Sequence, residues 1–86
     1  ISEALLEKHL VACAKKLPVK SVFRWQGKLN KANEIVLLLE TEEKLFDVIE
    51  NEVRQLHSHK VFVLASIPVE KTSAGVAEWL KEELGN

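Results

Sequence analysis

The side chains best placed for chemistry are His57 and His59, in the run His57-Ser58-His59-Lys60. In extended backbone, residues two apart point to the same side, so both imidazoles can reach one divalent ion. Neutral imidazole nitrogens suit Cu(II), Ni(II) and Zn(II). Two histidines do not complete a tetrahedral shell, so further ligands have to come from elsewhere. The plainer alternative is a pair of solvated histidines at a junction between elements. Cys13 is the single cysteine, which excludes an internal disulfide, a zinc ribbon and a Cys-x-x-Cys redox pair. Leu6, Leu10, Cys13 and Leu17 recur at helical spacing, so Cys13 reads as a small buried hydrophobe, with His9 at the edge of the stripe. Glu42-Glu43 and Glu82-Glu83 are adjacent on helices and point apart, which argues for solvated charges rather than an acid/base dyad. Phe23 and Trp25 share one strand face. With only Arg24 and Lys28 beside them they read as core or subunit packing rather than a nucleotide-stacking platform. Trp79 reads as an interface anchor.

The elements that must hold these residues follow from periodicity. Ser2 caps a helix expected over 2–17, stopped by Pro18. From Val19 to Gln26 the chain is rich in β-branched and aromatic residues. Gly27 and Asn30 to Asn33 supply turn chemistry over about seven residues, and Ile35 to Leu39 return as the second strand of an antiparallel hairpin. Thr41 caps a helix expected over 42–57, with Glu42 and Glu43 in its first turn. Its inner stripe is Leu45, Phe46, Ile49, Val53 and Leu56, and Glu50 and Arg54 pair on its outer side. Val61 to Ile67 form a third strand ending at Pro68, and Thr72 or Ser73 opens a last helix with Val76, Leu80 and Leu84 inside. The order is α-β-β-α-β-α, an α+β domain expected to fill residues 1–86.

With 86 residues, 47% apolar and 29% charged, the chain has the composition of a single globular domain rather than a disordered tail. Its net charge of −1 argues against a nucleic-acid partner gripped by a basic face and against a polybasic membrane anchor. No apolar run approaches the roughly 18 residues of a membrane span. The chain opens on Ile1 without a signal core, consistent with a removed targeting segment or a missing native start.

Ile35 to Leu39 and Val61 to Leu64 do not alternate apolar and polar residues, so both faces of those strands call for burial. Helices can cover only one face of so small a sheet, and the other is expected to meet a second subunit. The α-β-β-α-β series is also the ferredoxin-like split β-α-β without its opening strand. That strand lies inside the sheet, so a segment outside 1–86 is expected to fill a gap between Ile35–Thr41 and Val61–Ile67.

From Glu3 to about Leu84 the chain resembles the CutA divalent-cation tolerance family. The matching pieces are Glu7-Lys8-His9-Leu10-Val11-Ala12-Cys13, Ser21-Val22-Phe23-Arg24-Trp25-Gln26-Gly27-Lys28-Leu29, Glu34 with the apolar run to Thr41, His57, Ile67-Pro68-Val69-Glu70 and Trp79-Leu80. The resemblance implies a ferredoxin-like antiparallel sheet with helices on one face and a homotrimer, cytoplasmic in bacteria. It also implies a link to copper and other divalent-metal tolerance, with no established enzymatic activity. Family members usually carry His-Pro-Tyr-Glu where this chain has His57-Ser58-His59-Lys60, so only His57 is a matched candidate ligand. The copper-ligand cysteine of some members lies on the opening strand, and Cys13 does not inherit its role. The expected function is divalent-cation tolerance, with Cu(II) or Zn(II) bound weakly by His57 and His59 and no cofactor required. A trimeric scaffold or a module like the nitrogen-regulatory PII trimers is the alternative, although the 27–33 connection is short for the long PII loop.

Overall fold

The computed structural model describes residues 1–57 and 61–85. Helix α1 covers Ser2–Glu7 and buries Leu5 completely. It is far shorter than the helix expected over 2–17. His9 adopts φ +57, a left-handed conformation unusual for a residue other than glycine, and its N–H bonds the Leu6 carbonyl at 3.1 Å. The chain then straightens, and the Ala12 N–H bonds the Glu40 carbonyl at 2.8 Å. The Leu6-Leu10-Cys13-Leu17 stripe therefore does not exist as one face. Leu10 is in the core, Leu6 is 38% exposed and Leu17 is 45% exposed on a strand.

Strand β1, Cys13–Trp25, pairs antiparallel with β2, Lys28–Glu40, from Cys13 opposite Glu40 to Trp25 opposite Lys28. Gln26 and Gly27 close the hairpin with φ +51 and +75, the backbone of a type I′ turn whose twist suits the flanking strands. The expected seven-residue connection is thus a two-residue turn, and Asn30 to Asn33 belong to β2. Asn and Gly both signal turns, but only one position can close a given register. Pro18 sits within β1 rather than ending a helix. In a two-stranded ribbon each strand keeps an outer edge, where proline is tolerated.

A 3₁₀ turn at Glu43–Leu45 leads into α2, Phe46–Leu56, close to the expected 42–57. Thr41 does not cap this helix through its side chain. Its hydroxyl donates to the Leu10 carbonyl at 2.6 Å and fastens the end of the ribbon to the turn after α1. Leu45, Ile49 and Val53 are buried as their spacing requires, while Leu56 is exposed. Arg54 Nη2 donates to Glu50 Oε2 at 3.2 Å, as expected for that pair. Helix α3, Val76–Glu83, follows Gly75 at φ +93 and delivers Leu84 to the core.

The core is Leu5, Leu10, Val11, Leu45, Ile49, Val53 and Leu84, with Ala12, Leu39, Phe62, Leu64 and Leu80 packed against it. It sits at one end of the ribbon, where α1, α2 and the end of α3 meet. The third strand expected over Val61–Ile67 has no ladder partner among the described residues. Phe62 and Leu64 face the core while Val61 and Val63 are 67% and 96% exposed, so the run has strand periodicity without strand pairing. Among the described residues no helix is long and apolar enough to cross a membrane. The α+β class and the antiparallel pairing stand as the sequence implies.

Two substitutions test this arrangement. Leu5→Ala removes a fully buried side chain and is expected to lower unfolding stability by about 2–5 kcal/mol. Gly27→Val has open space around it but forces a β-branched residue into positive φ, and is expected to cost about 1–2 kcal/mol. Urea denaturation of each variant against the parent reads both.

Candidate functional site

His57 is the residue after α2, and its N–H closes the helix by donating to the Val53 carbonyl at 2.7 Å. Its backbone is extended, and the half-buried residue stands just past the end of α2, where the sequence places it, although no paired strand follows among the described residues. The ring lies 5.5 Å from the Phe62 ring, tilted by 42°. The Arg54 guanidinium covers Phe62 with Cζ 4.9 Å from the ring centroid, within range of a cation–π contact. His57 is therefore seated beside an aromatic ring that already carries a cation. His59 lies outside the described residues.

This surrounding bears on metal chemistry. Among the described residues no three His, Cys, Asp or Glu side chains converge as a metal-holding group. Beside His57 the Arg54 guanidinium is paired with Glu50, so its charge is offset where an ion would approach the imidazole.

The other candidates occupy different places. Cys13 is half-buried at the first position of β1, not on a helix. Lys15, two residues on, reaches back with Nζ 3.5 Å from the Cys13 sulfur and donates to Glu40 Oε1 across the ladder. Local spacing does not reveal this group, because Glu40 comes opposite Cys13 only through the register. The hydrogen bond to Glu40, helped by the one to Cys13, raises the Lys15 pKa above its ordinary 10.5. His9 Nδ1 lies 3.0 Å from the Glu83 carbonyl, so this residue ties α1 to the end of α3. Phe23 and Trp25 do share a ribbon face near the turn, both exposed. Trp79 is half-buried on α3.

Comparison with known proteins converges on one family. Residues 1–83 match the family model for the CutA1 divalent ion tolerance protein. A divalent-cation tolerance protein CutA from Archaeoglobus fulgidus is 34% identical over 82 residues, covering 95% of this chain and 80% of that protein. Its solved structure, which describes it as periplasmic, superposes with TM-score 0.91 at 33% identity over 94% of this chain and 79% of that one. The divalent cation tolerance protein of Thermus thermophilus gives TM-score 0.92 at 30% identity, over 98% and 82% of the two chains. The human protein CutA is 28% identical over 95% of this chain, which spans 46% of that protein.

The ribbon-base contact predicts a titration. Glu40→Gln is expected to return the Lys15 ammonium toward its ordinary pKa, followed by NMR of its side chain. Because the folded pKa is raised, the stabilisation from this contact is complete below about pH 10 and disappears as pH climbs through the raised value.

Proposed function

This chain belongs to the CutA1 divalent ion tolerance family, and on that premise we propose that it is a homotrimeric binding protein that meets divalent metal ions weakly. The observation that carries the reading is the family match over residues 1–83, supported by the fold's likeness to solved CutA proteins. Self-association is supported by apolar surface that the single chain leaves open. Val22, Phe23, Trp25 and Leu29 crowd the far end of the ribbon, and Val61, Val63, Ile67 and Val69 line the unpaired run. Such concentrations on a small domain mark interaction surfaces. Three copies are what the family resemblance implies.

In this reading His57 and His59 hold Cu(II) or Zn(II), with remaining positions filled by water or a neighbouring subunit. The position of His57 just past the end of α2 supports it. The ion is cargo rather than a folding cofactor, and no catalytic role is assigned. A cytoplasmic location agrees with the free thiol of Cys13. A trimeric scaffold without metal binding is the competing outcome.

Light scattering at micromolar concentration is expected to report three copies per particle, and a stable monomer would refute the assembly. Calorimetric titration with Cu(II) and Zn(II) at neutral pH is expected to show binding by the parent and its loss in His57→Ala/His59→Ala. Affinity should fall as pH drops through about 6.5, where imidazoles protonate. Equal binding by parent and variant eliminates these ligands, and no binding by either favours the scaffold.

A further inference from the structure

The ladder register divides the ribbon into two unlike faces. Residues paired across an antiparallel ladder project to the same side, and successive residues alternate sides. One face therefore carries Lys16, Lys20 and Arg24 from β1 and Lys31 from β2. Apart from Asn33 the rest of that face is apolar, so it holds four cations and no carboxylate. The opposite face sets Lys15 and Lys28 against Glu34 and Glu40, which cancels its charge, among Leu17, Phe23, Trp25, Val36 and Leu38.

The four cations stand on an arm, the part of the ribbon beyond its base. Leu39, opposite Ala14, belongs to the basic face and packs on the core that α1 and α2 build. Helices thus cover this face at its base and leave it open farther out. Lys16, Lys20, Arg24 and Lys31 are exposed and make no ion pair among the described residues. Lys16 and Arg24 lie about 27 Å apart along β1 at roughly 3.4 Å per residue. Lys31 stands opposite Val22, between Lys20 and Arg24, and with Lys20 and Asn33 lines a shallow depression. Val22, Leu29 and Ile35, all exposed, lie among the cations on the same face.

We infer that this basic face docks an acidic amphipathic helix of a partner protein, which extends along the arm the helical layer already packed at its base. A helix satisfies its own backbone, so it needs only side-chain contacts from the ribbon, and a span of about 27 Å takes about 18 helical residues. Its apolar stripe meets Val22, Leu29 and Ile35, and the carboxylates beside that stripe meet the four cations. A phosphate polymer matches the charge but has nothing for the apolar positions. Single-stranded nucleic acid and lipid surfaces use aromatic side chains next to cations, and here Phe23 and Trp25 project from the other face. The uncharged face suits contact between copies of this chain, since like surfaces meet there without setting cation against cation.

Fluorescence anisotropy on the intact chain tests this, the probe being a fluorescein-labelled helical peptide of leucine, alanine and glutamate about 18 residues long. At about 150 mM NaCl, where the Debye length is about 8 Å, the parent is expected to bind the probe and not its lysine-for-glutamate counterpart. Lys20→Gln/Lys31→Gln should weaken binding about fivefold or more. Lys28→Glu makes the same change in net charge on the opposite face and should alter binding less than about twofold. Circular dichroism confirms that both variants fold. Without any variant, about 500 mM NaCl should weaken binding by the parent about tenfold. Binding that ignores salt, or that both variants weaken equally, overturns the basic face as the site. No binding by the parent overturns the inference outright. Tighter capture of inorganic polyphosphate or duplex DNA than of the peptide overturns the choice of partner in favour of a phosphate polymer. Sedimentation should find the probe on particles of the parent's own size, and a probe that breaks those particles apart overturns the face's being open.

Discussion

A two-stranded ribbon pairs only one edge of each strand, and the rest of this structure depends on that constraint. Thirteen residues of β1 face thirteen of β2, and the outer edge of each strand has no ladder partner among the described residues. An isolated hairpin is marginal in water, so the ribbon needs support from packing. The core provides it at one end only, where Leu39 and Ala12 meet Leu10, Val11 and the inner side of α2. Thr41 bonded to the Leu10 carbonyl and Ala12 bonded to Glu40 secure that end. Beyond it the arm has backbone pairing but little buried apolar area. The run from Val61 to Val69 presents the converse case, with Phe62 and Leu64 packed on the core and a backbone without a ladder among the described residues.

This incompleteness connects fold to function. Family membership assigns the chain to the divalent-cation tolerance family, and the end of α2 places the candidate ligand His57. At the same corner Arg54 lies over Phe62 and pairs with Glu50, so its charge is matched by a carboxylate. In the proposed reading, self-association and metal contact are separate demands on the chain. The first draws on the ribbon and the run from Val61 to Val69, the second on the position of His57 beside the core.

The sequence's local patterns account for some elements closely. Leu45, Ile49 and Val53 at steps of four mark α2, since helical hydrogen bonds join residues four apart and leave their period in the local sequence. Glu50 and Arg54 on the outer side follow from the same period. The position of His57 just after the helix was legible for that reason, whereas Phe62 and Arg54 around it were not. Their meeting needs the chain after the junction to fold back onto α2.

The misread elements share one physical cause. Leu6, Leu10, Cys13 and Leu17 have helical spacing, yet from Cys13 onward the backbone follows β2, whose Glu40 lies 27 positions away. Strand bonds join remote residues, so the competition between helix and ladder at Cys13–Leu17 is decided by a partner that no local window contains. The register also decided that Gln26-Gly27, rather than Asn30 to Asn33, closes the hairpin, and that Lys15 reaches Glu40. Composition, the α2 stripe, the antiparallel hairpin and the candidate His57 were determined by the sequence itself, because each rests on local period or side-chain chemistry. Where α1 stops, how far the arm extends and which charges stand together were decided only by tertiary structure, because each depends on hydrogen bonds and contacts between distant parts of the chain.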